Sequence, residues 1–177
     1  MAVLDVLVYP DKRLKQISRP VEKFDESLLQ FVSDLEETMA AGPPSVGIAA
    51  PQVGRFERIV LVDVSCKPKI KNHGRLIMIN PEITDKEGSV VGREGCLSVP
   101  DYTGNVARSE RISVKAYDQF GNHQLYNMEG FEARAVQHEM DHLEGLLFLD
   151  RLVSRRDSLF RRKVYKKKSA DIDSKRS

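Results

Sequence analysis

The sequence predicts an α+β fold: mostly antiparallel sheets packed around a central helix carrying a His-Glu-x-x-His motif, plus N-terminal and C-terminal helices. Two observations point there. Four apolar or alternating runs, RIVLVDV, RLIMINP, RISVKAYD and HQLYNME, are separated by Gly, Pro, Asn and Asp, as short strands are. These runs are bunched together instead of alternating with helices, which favours antiparallel pairing over a parallel, doubly wound sheet.

The elements follow in order. Residues 25–41 place Leu28, Val32, Leu35 and Met39 at helical spacing, with Asp25 as N-cap and Gly42-Pro43-Pro44 as the stop. The four strand runs come next, the last two joined as a hairpin around Gln119-Phe120-Gly121-Asn122. Gly130 opens a helix over 130–144 that ends with Gly145 at C′. The sequence RRDSLFRRKVYKKK predicts a third helix over 154–168.

The 177 residues suit one domain with a sizeable core, and 41% apolar with 31% charged residues is ordinary for a globular chain. The opening residues have too short an apolar run to span a membrane and lack the basic start of a signal peptide. Two cysteines, Cys66 and Cys96, make no disulfide framework, so a reduced, cytoplasmic setting is expected. Net charge is +2, but residues 151–177 carry eleven Lys/Arg against three Asp. A basic appendage on an acidic body reads either as a solvated helix fraying into a polar tail or as a contact with a polyanion such as RNA.

The motif itself is VQHEMDHLEG, residues 136–145. His138 and His142, four apart, share one helical face, and Glu139 lies beside them. Two neutral imidazoles one turn apart bind a metal ion, and the glutamate then serves as a proton acceptor. A catalytic ion usually has three protein ligands, and beyond Gly145 the chain has no His and no Glu. The third ligand therefore lies upstream, among His73, His123, the two cysteines and the acids.

Two further stretches stand out. In REGCLSVP, residues 93–100, Cys96 sits before a bulge or turn, where a thiolate makes a strong soft ligand. In SVGIAAPQVG, residues 45–54, small residues let another backbone approach, and Gln52 offers an amide donor for a developing oxyanion.

GIAAPQ, EGCLS and QHExDH, in this order, resemble the peptide deformylase family, type I, and within it a B-like subgroup through the Ser98-Val99-Pro100 and Tyr102–Val106 run. The resemblance covers nearly all of residues 1–153, which it implies are the catalytic domain; residues 154–177 form the basic C-terminal helix and tail. It implies Cys96, His138 and His142 as metal ligands, and Glu139 as general acid/base. It also implies an oxyanion hole made by Gln52 and the Leu97 N–H. The backbone of Val46 and Gly47 is expected to pair with the substrate, and Val46, Phe131, Ala135 and His138 to line its methionine pocket. Fe²⁺ is the implied ion, one per chain, with Zn²⁺ or Ni²⁺ as substitutes. The implied substrates are formyl-Met N-termini of nascent polypeptides, with a ribosome contact through the basic segment and neither DNA nor membrane as partner. Two positions depart from the family pattern: Ser45, where a glycine is usual, and Arg134, often apolar in the best-known bacterial members. The competing readings are a zinc endopeptidase and an RNA- or ribosome-binding module with a structural metal.

Overall fold

A computed structural model describes residues 2–162 apart from Pro68. It has two α-helices, α1 (Glu26–Ala41) and α2 (Gly130–Leu143), and eight strands. The strands are β1 (Gly47–Ala49), β2 (Ile59–Asp63), β3 (Arg75–Glu87), β4 (Val90–Cys96), β5 (Val99–Arg108), β6 (Arg111–Tyr117), β7 (His123–Glu129) and β8 (Leu159–Arg161). They make a five-stranded sheet in the order β1-β2-β3-β6-β7 and a three-stranded sheet β4-β5-β8, with every pairing antiparallel. Among the described residues, no helix is long and apolar enough to cross a membrane.

The unbroken apolar run of β2 has a direct cause. Ile59 and Leu61 face Leu28, Phe31, Val32 and Leu35 of α1, while Val60 and Val62 face Ala133, Ala135 and Val136 of α2. Both faces of the strand are covered, so alternation of polar and apolar residues is lost. Full burial of Leu28 and Leu35, each at 0% exposure, stabilises the α1 contact by about 1.5–3 kcal/mol per side chain. The Asp25 carboxylate accepts from Leu28 N–H at 3.0 Å, which caps α1 as the sequence predicts. Gly145 follows α2 at φ +71°, and a side chain there would collide with the Lys15 carbonyl, so both backbone and packing require glycine.

The C-terminal helix over 154–168 is not formed in its described part. Residues 155–157 make a turn closed by Ser158 N–H to Ser154 O at 3.0 Å, and β8 follows. The open edge of β5 decides this: Tyr102, Thr103 and Gly104 pair with Arg161, Phe160 and Leu159, and this tertiary ladder overrides local helix propensity. Residues 163–168 of that expectation lie outside the described residues. β4, β5 and the short β1 are strands that the apolar patterning does not announce.

Candidate metal centre and substrate cleft

α2 lies against β1, β2, β6 and β7 with its apolar stripe, and turns its motif face toward the β4–β5 hairpin. The 3.6-residue repeat puts His138 and His142 on that face, with ring centroids 5.3 Å apart. Cys96 ends β4, beside a register shift between Glu94 and Cys96 in the pairing with β5. That bulge aims the thiol at the helix. Donor atoms of Cys96, His138 and His142 all lie within 4.8 Å of one another, and Cys96 Sγ is 3.4 Å from His142 Nε2. Of the candidates left open by spacing alone, the fold brings Cys96 to the histidine pair. His73 is paired instead with Glu132 at 2.6 Å, His123 packs against Tyr117, and Cys66 is exposed.

The donor set fits a divalent transition ion. One cysteine sulfur and two imidazoles, all buried, match the three protein donors usual at a catalytic ion. Glu94 takes His138 Nδ1–H at 2.8 Å, which fixes that ring with Nε2 toward the centre. The two rings differ electrostatically. Burial opposes charge on His138, but hydrogen bonds to Cys96 and Glu94 outweigh it and hold the ring well above its usual pKa. Burial and the neighbouring His138 hold His142 well below its usual value, so it is a neutral donor.

Glu94 anchors a buried ionic network. Besides His138 it accepts from Arg108 Nε and Nη2 at 3.0 and 2.9 Å and from Arg134 Nη1 at 2.7 Å. Burial alone would raise its pKa, but the His138 and Arg108 hydrogen bonds pull it down to about 2. Arg108 continues to Asp141 at 2.5 Å, and Asp141 to Arg151 at 3.2 Å. Arg134 also donates to the carbonyls of Val106 and Val90, so the sequence's departure at this position ties α2 to both strands of the hairpin. Sequence patterning did not single out Glu94, Arg108 or Asp141. For Glu94 and Asp141 the available signal was their position inside the EGC and HEMDH motifs; for Arg108 there was none.

Glu139 is buried, and burial pushes its carboxyl up to about 7. Its Oε1 lies 3.9 Å from His138 Nε2, while Oε2 is buried with no hydrogen-bond partner among the described residues. Gln52 follows β1 in a 3-10 turn, where Ala49 N–H donates to its Oε1 at 2.9 Å. That orientation sends Nε2 to Cys96 Sγ at 3.5 Å and Ser98 Oγ at 3.1 Å. Leu97 occupies the turn between β4 and β5.

A cavity of about 280 Å³ opens beside the centre, with Val46, Gly47, Cys96, Phe131, Ala135 and Glu139 in its walls. Leu97, His138 and Ser45 also border it, whereas Gln52 and His142, each 1% exposed, are not part of its lining. β1 is an edge strand along this cavity. Val46 C=O accepts from Asp63 N–H at 2.8 Å, so this carbonyl is committed to β2. Val46 and Gly47 both border the cavity.

Comparison with known proteins agrees with this architecture. Residues 3–158 match the family model described as polypeptide deformylase. A peptide deformylase from Thermodesulfovibrio yellowstonii is 40% identical over 168 residues, covering 95% of this chain and 100% of that one. The crystal structure of peptide deformylase from Ehrlichia chaffeensis superposes with a TM-score of 0.81 at 39% identity, covering 88% of this chain and 90% of that chain. A class I type b peptide deformylase from Acinetobacter baumannii, solved with Met-Ala-Ser bound, gives 0.79 at 37% identity, covering 85% and 99% of the two chains.

Proposed function

Because the chain belongs to the polypeptide deformylase family, we propose that Cys96, His138 and His142 hold its catalytic metal and that Glu139 moves the proton. The activity is metal-dependent hydrolysis of the N-formyl group from the N-terminal formylmethionine of newly made polypeptides, with release of formate. In this reading α2 is the central, motif-bearing helix of the fold. The ion supplies Lewis acidity that makes a water nucleophilic near neutral pH.

The chain's own residues do the rest. The backbone of Val46 and Gly47 pairs with the peptide along the β1 edge, and Val46, Phe131, Ala135 and His138 line the pocket that receives the methionine side chain. Glu139 accepts the proton of the attacking water and returns it to the departing amine. Gln52 Nε2 and the Leu97 N–H stabilise the oxyanion, each worth about 3 kcal/mol in comparable sites. The observation that carries this reading is the buried, unpartnered Glu139 oxygen beside the Cys96–His138–His142 cluster, at the wall of a cleft bordered by an open strand edge. Met-Ala-Ser, bound in the cited relative, is a peptide of the product type, which supports a methionyl peptide as the product here.

Fe²⁺ is the proposed native ion, with Zn²⁺ or Ni²⁺ as substitutes, and the cytoplasm the proposed location. A ribosome contact through the basic C-terminal residues is part of the same proposal. The deciding experiment is formate release from a formyl-Met peptide, with metal content measured in parallel. Cleavage of internal peptide bonds would indicate an endopeptidase, and a metal-loaded protein releasing no formate would indicate a structural metal. Either result would overturn this assignment.

A further inference from the structure

We propose that Arg162, delivered by β8, is a substrate-binding residue whose guanidinium donates to a main-chain carbonyl of the peptide beyond its first residue. The proposal rests on the deformylase reading and extends it to peptide length.

β8 pairs with β5, and Arg162 N–H donates to Asp101 O at 2.8 Å, carrying the ladder one residue past the strand. The Arg162 side chain then lies across Gly95, the residue before Cys96: a Cβ on Gly95 would fall 2.5 Å from Arg162 Nη2. Three arginines border the catalytic cavity. Arg134 is committed to Glu94 and two carbonyls. Arg93 donates to Asn105 at 3.1 Å and lies 3.7 Å over the Phe160 ring. Arg162 differs, because its Nε is buried with no partner among the described residues.

A guanidinium has five donors and no acceptor, so its natural partner is a carbonyl or carboxylate oxygen. A peptide extended along the Gly47 edge turns its carbonyls alternately toward and away from β1. Those turned away from β1 are left for the cavity's other lining residues, among them Gly95 and Arg162. A nascent chain offers only carbonyls there, whereas a short peptide also offers its terminal carboxylate. The proposed partner is the carbonyl.

The test compares formate release by metal-loaded wild type and Arg162→Ala on formyl-Met-Ala-Ser amide, its free acid, and formyl-Met amide. For the tripeptide amide KM should rise about tenfold with kcat within twofold, the usual worth of one hydrogen bond from a charged group. The rise should shrink below twofold on formyl-Met amide, and Arg162→Lys should recover part of it. An unchanged KM on the tripeptide amide overturns the proposal. So does an equal rise on formyl-Met amide, which would mean a general disturbance of the site, or a rise confined to the free acid, which would mean a carboxylate ion pair. If substituting Ala disturbs β8, the same comparison with Arg162→Gln, which keeps packing and one donor group, decides it. A wild type that releases no formate from any of the three fails at the functional assignment itself, a result distinct from these.

Discussion

Gly47 and Glu139 are packed together at the cavity wall: a Cβ on Gly47 would fall 2.8 Å from Glu139 Cγ and 2.9 Å from its Oε1. The strand edge that borders the cavity and the carboxylate assigned to proton transfer therefore fix one another. Gly47→Ala must push Glu139 aside. Turnover should fall about 10²-fold, the usual result of a displacement of about 1 Å in a catalytic group. Metal content should hold. Kinetics beside metal analysis on the same sample check this, and normal turnover would show that Glu139 is not constrained by β1.

Glu139→Gln keeps the size of the side chain but removes its proton-carrying oxygen. Turnover should drop roughly 10²–10⁴-fold while one ion per chain is retained. Retained metal with near-normal turnover would assign the proton to another group.

Cys96 and Cys66 should separate cleanly, since Cys96 is buried in the donor cluster and Cys66 is exposed. Cys66→Ser should keep metal and activity. Cys96→Ser should lose most of both, because a neutral hydroxyl replaces an anionic soft ligand. Peroxide should add oxygen to Cys96 as activity falls, located by mass spectrometry. Oxygen found on Cys66 alone would remove Cys96 from the ligand set.

Glu94→Gln should weaken metal binding about 10–100-fold, the cost of losing the partner that orients a ligating imidazole. Competition with a chelator measures it directly. Arg108 would lose its main counter-ion in the same variant, so the melting temperature should fall as well. Unchanged metal affinity would leave Glu94 a purely structural role.

Residues 163–177 carry six Lys/Arg against two Asp. Truncation after Arg162 keeps β8 and should leave formate release from short peptides within twofold. It should also weaken co-sedimentation with ribosomes, and binding by the full chain should fall steeply with added salt. Equal co-sedimentation by the two forms would rule out the tail as the contact.

How much of this was legible in the sequence follows from the range of the forces involved. Period and capping are local, so α1 with its Asp25 cap, α2 with its Gly145 stop, and β2, β3, β6 and β7 were readable, as was the pairing of His138 with His142 on one face. β4 was not: VVGREGC has too little apolar patterning, and the strand is held by Arg134, Glu94 and its register with β5. The segment after residue 154 misled for the same reason. Its charges suit a solvated helix, and the unpaired edge of β5 that claims Leu159–Arg161 is invisible from within the segment. The proposed ligand set divides the same way. Helical geometry alone brings two imidazoles together, while choosing Cys96 over His73, His123 and Cys66 from residue spacing needs a contact 42 positions away. A resemblance between motifs indicated that choice, but its physical cause is tertiary. The β4 bulge turns Cys96 onto α2, and the buried Glu94–Arg108–Asp141 network holds hairpin and helix in that register.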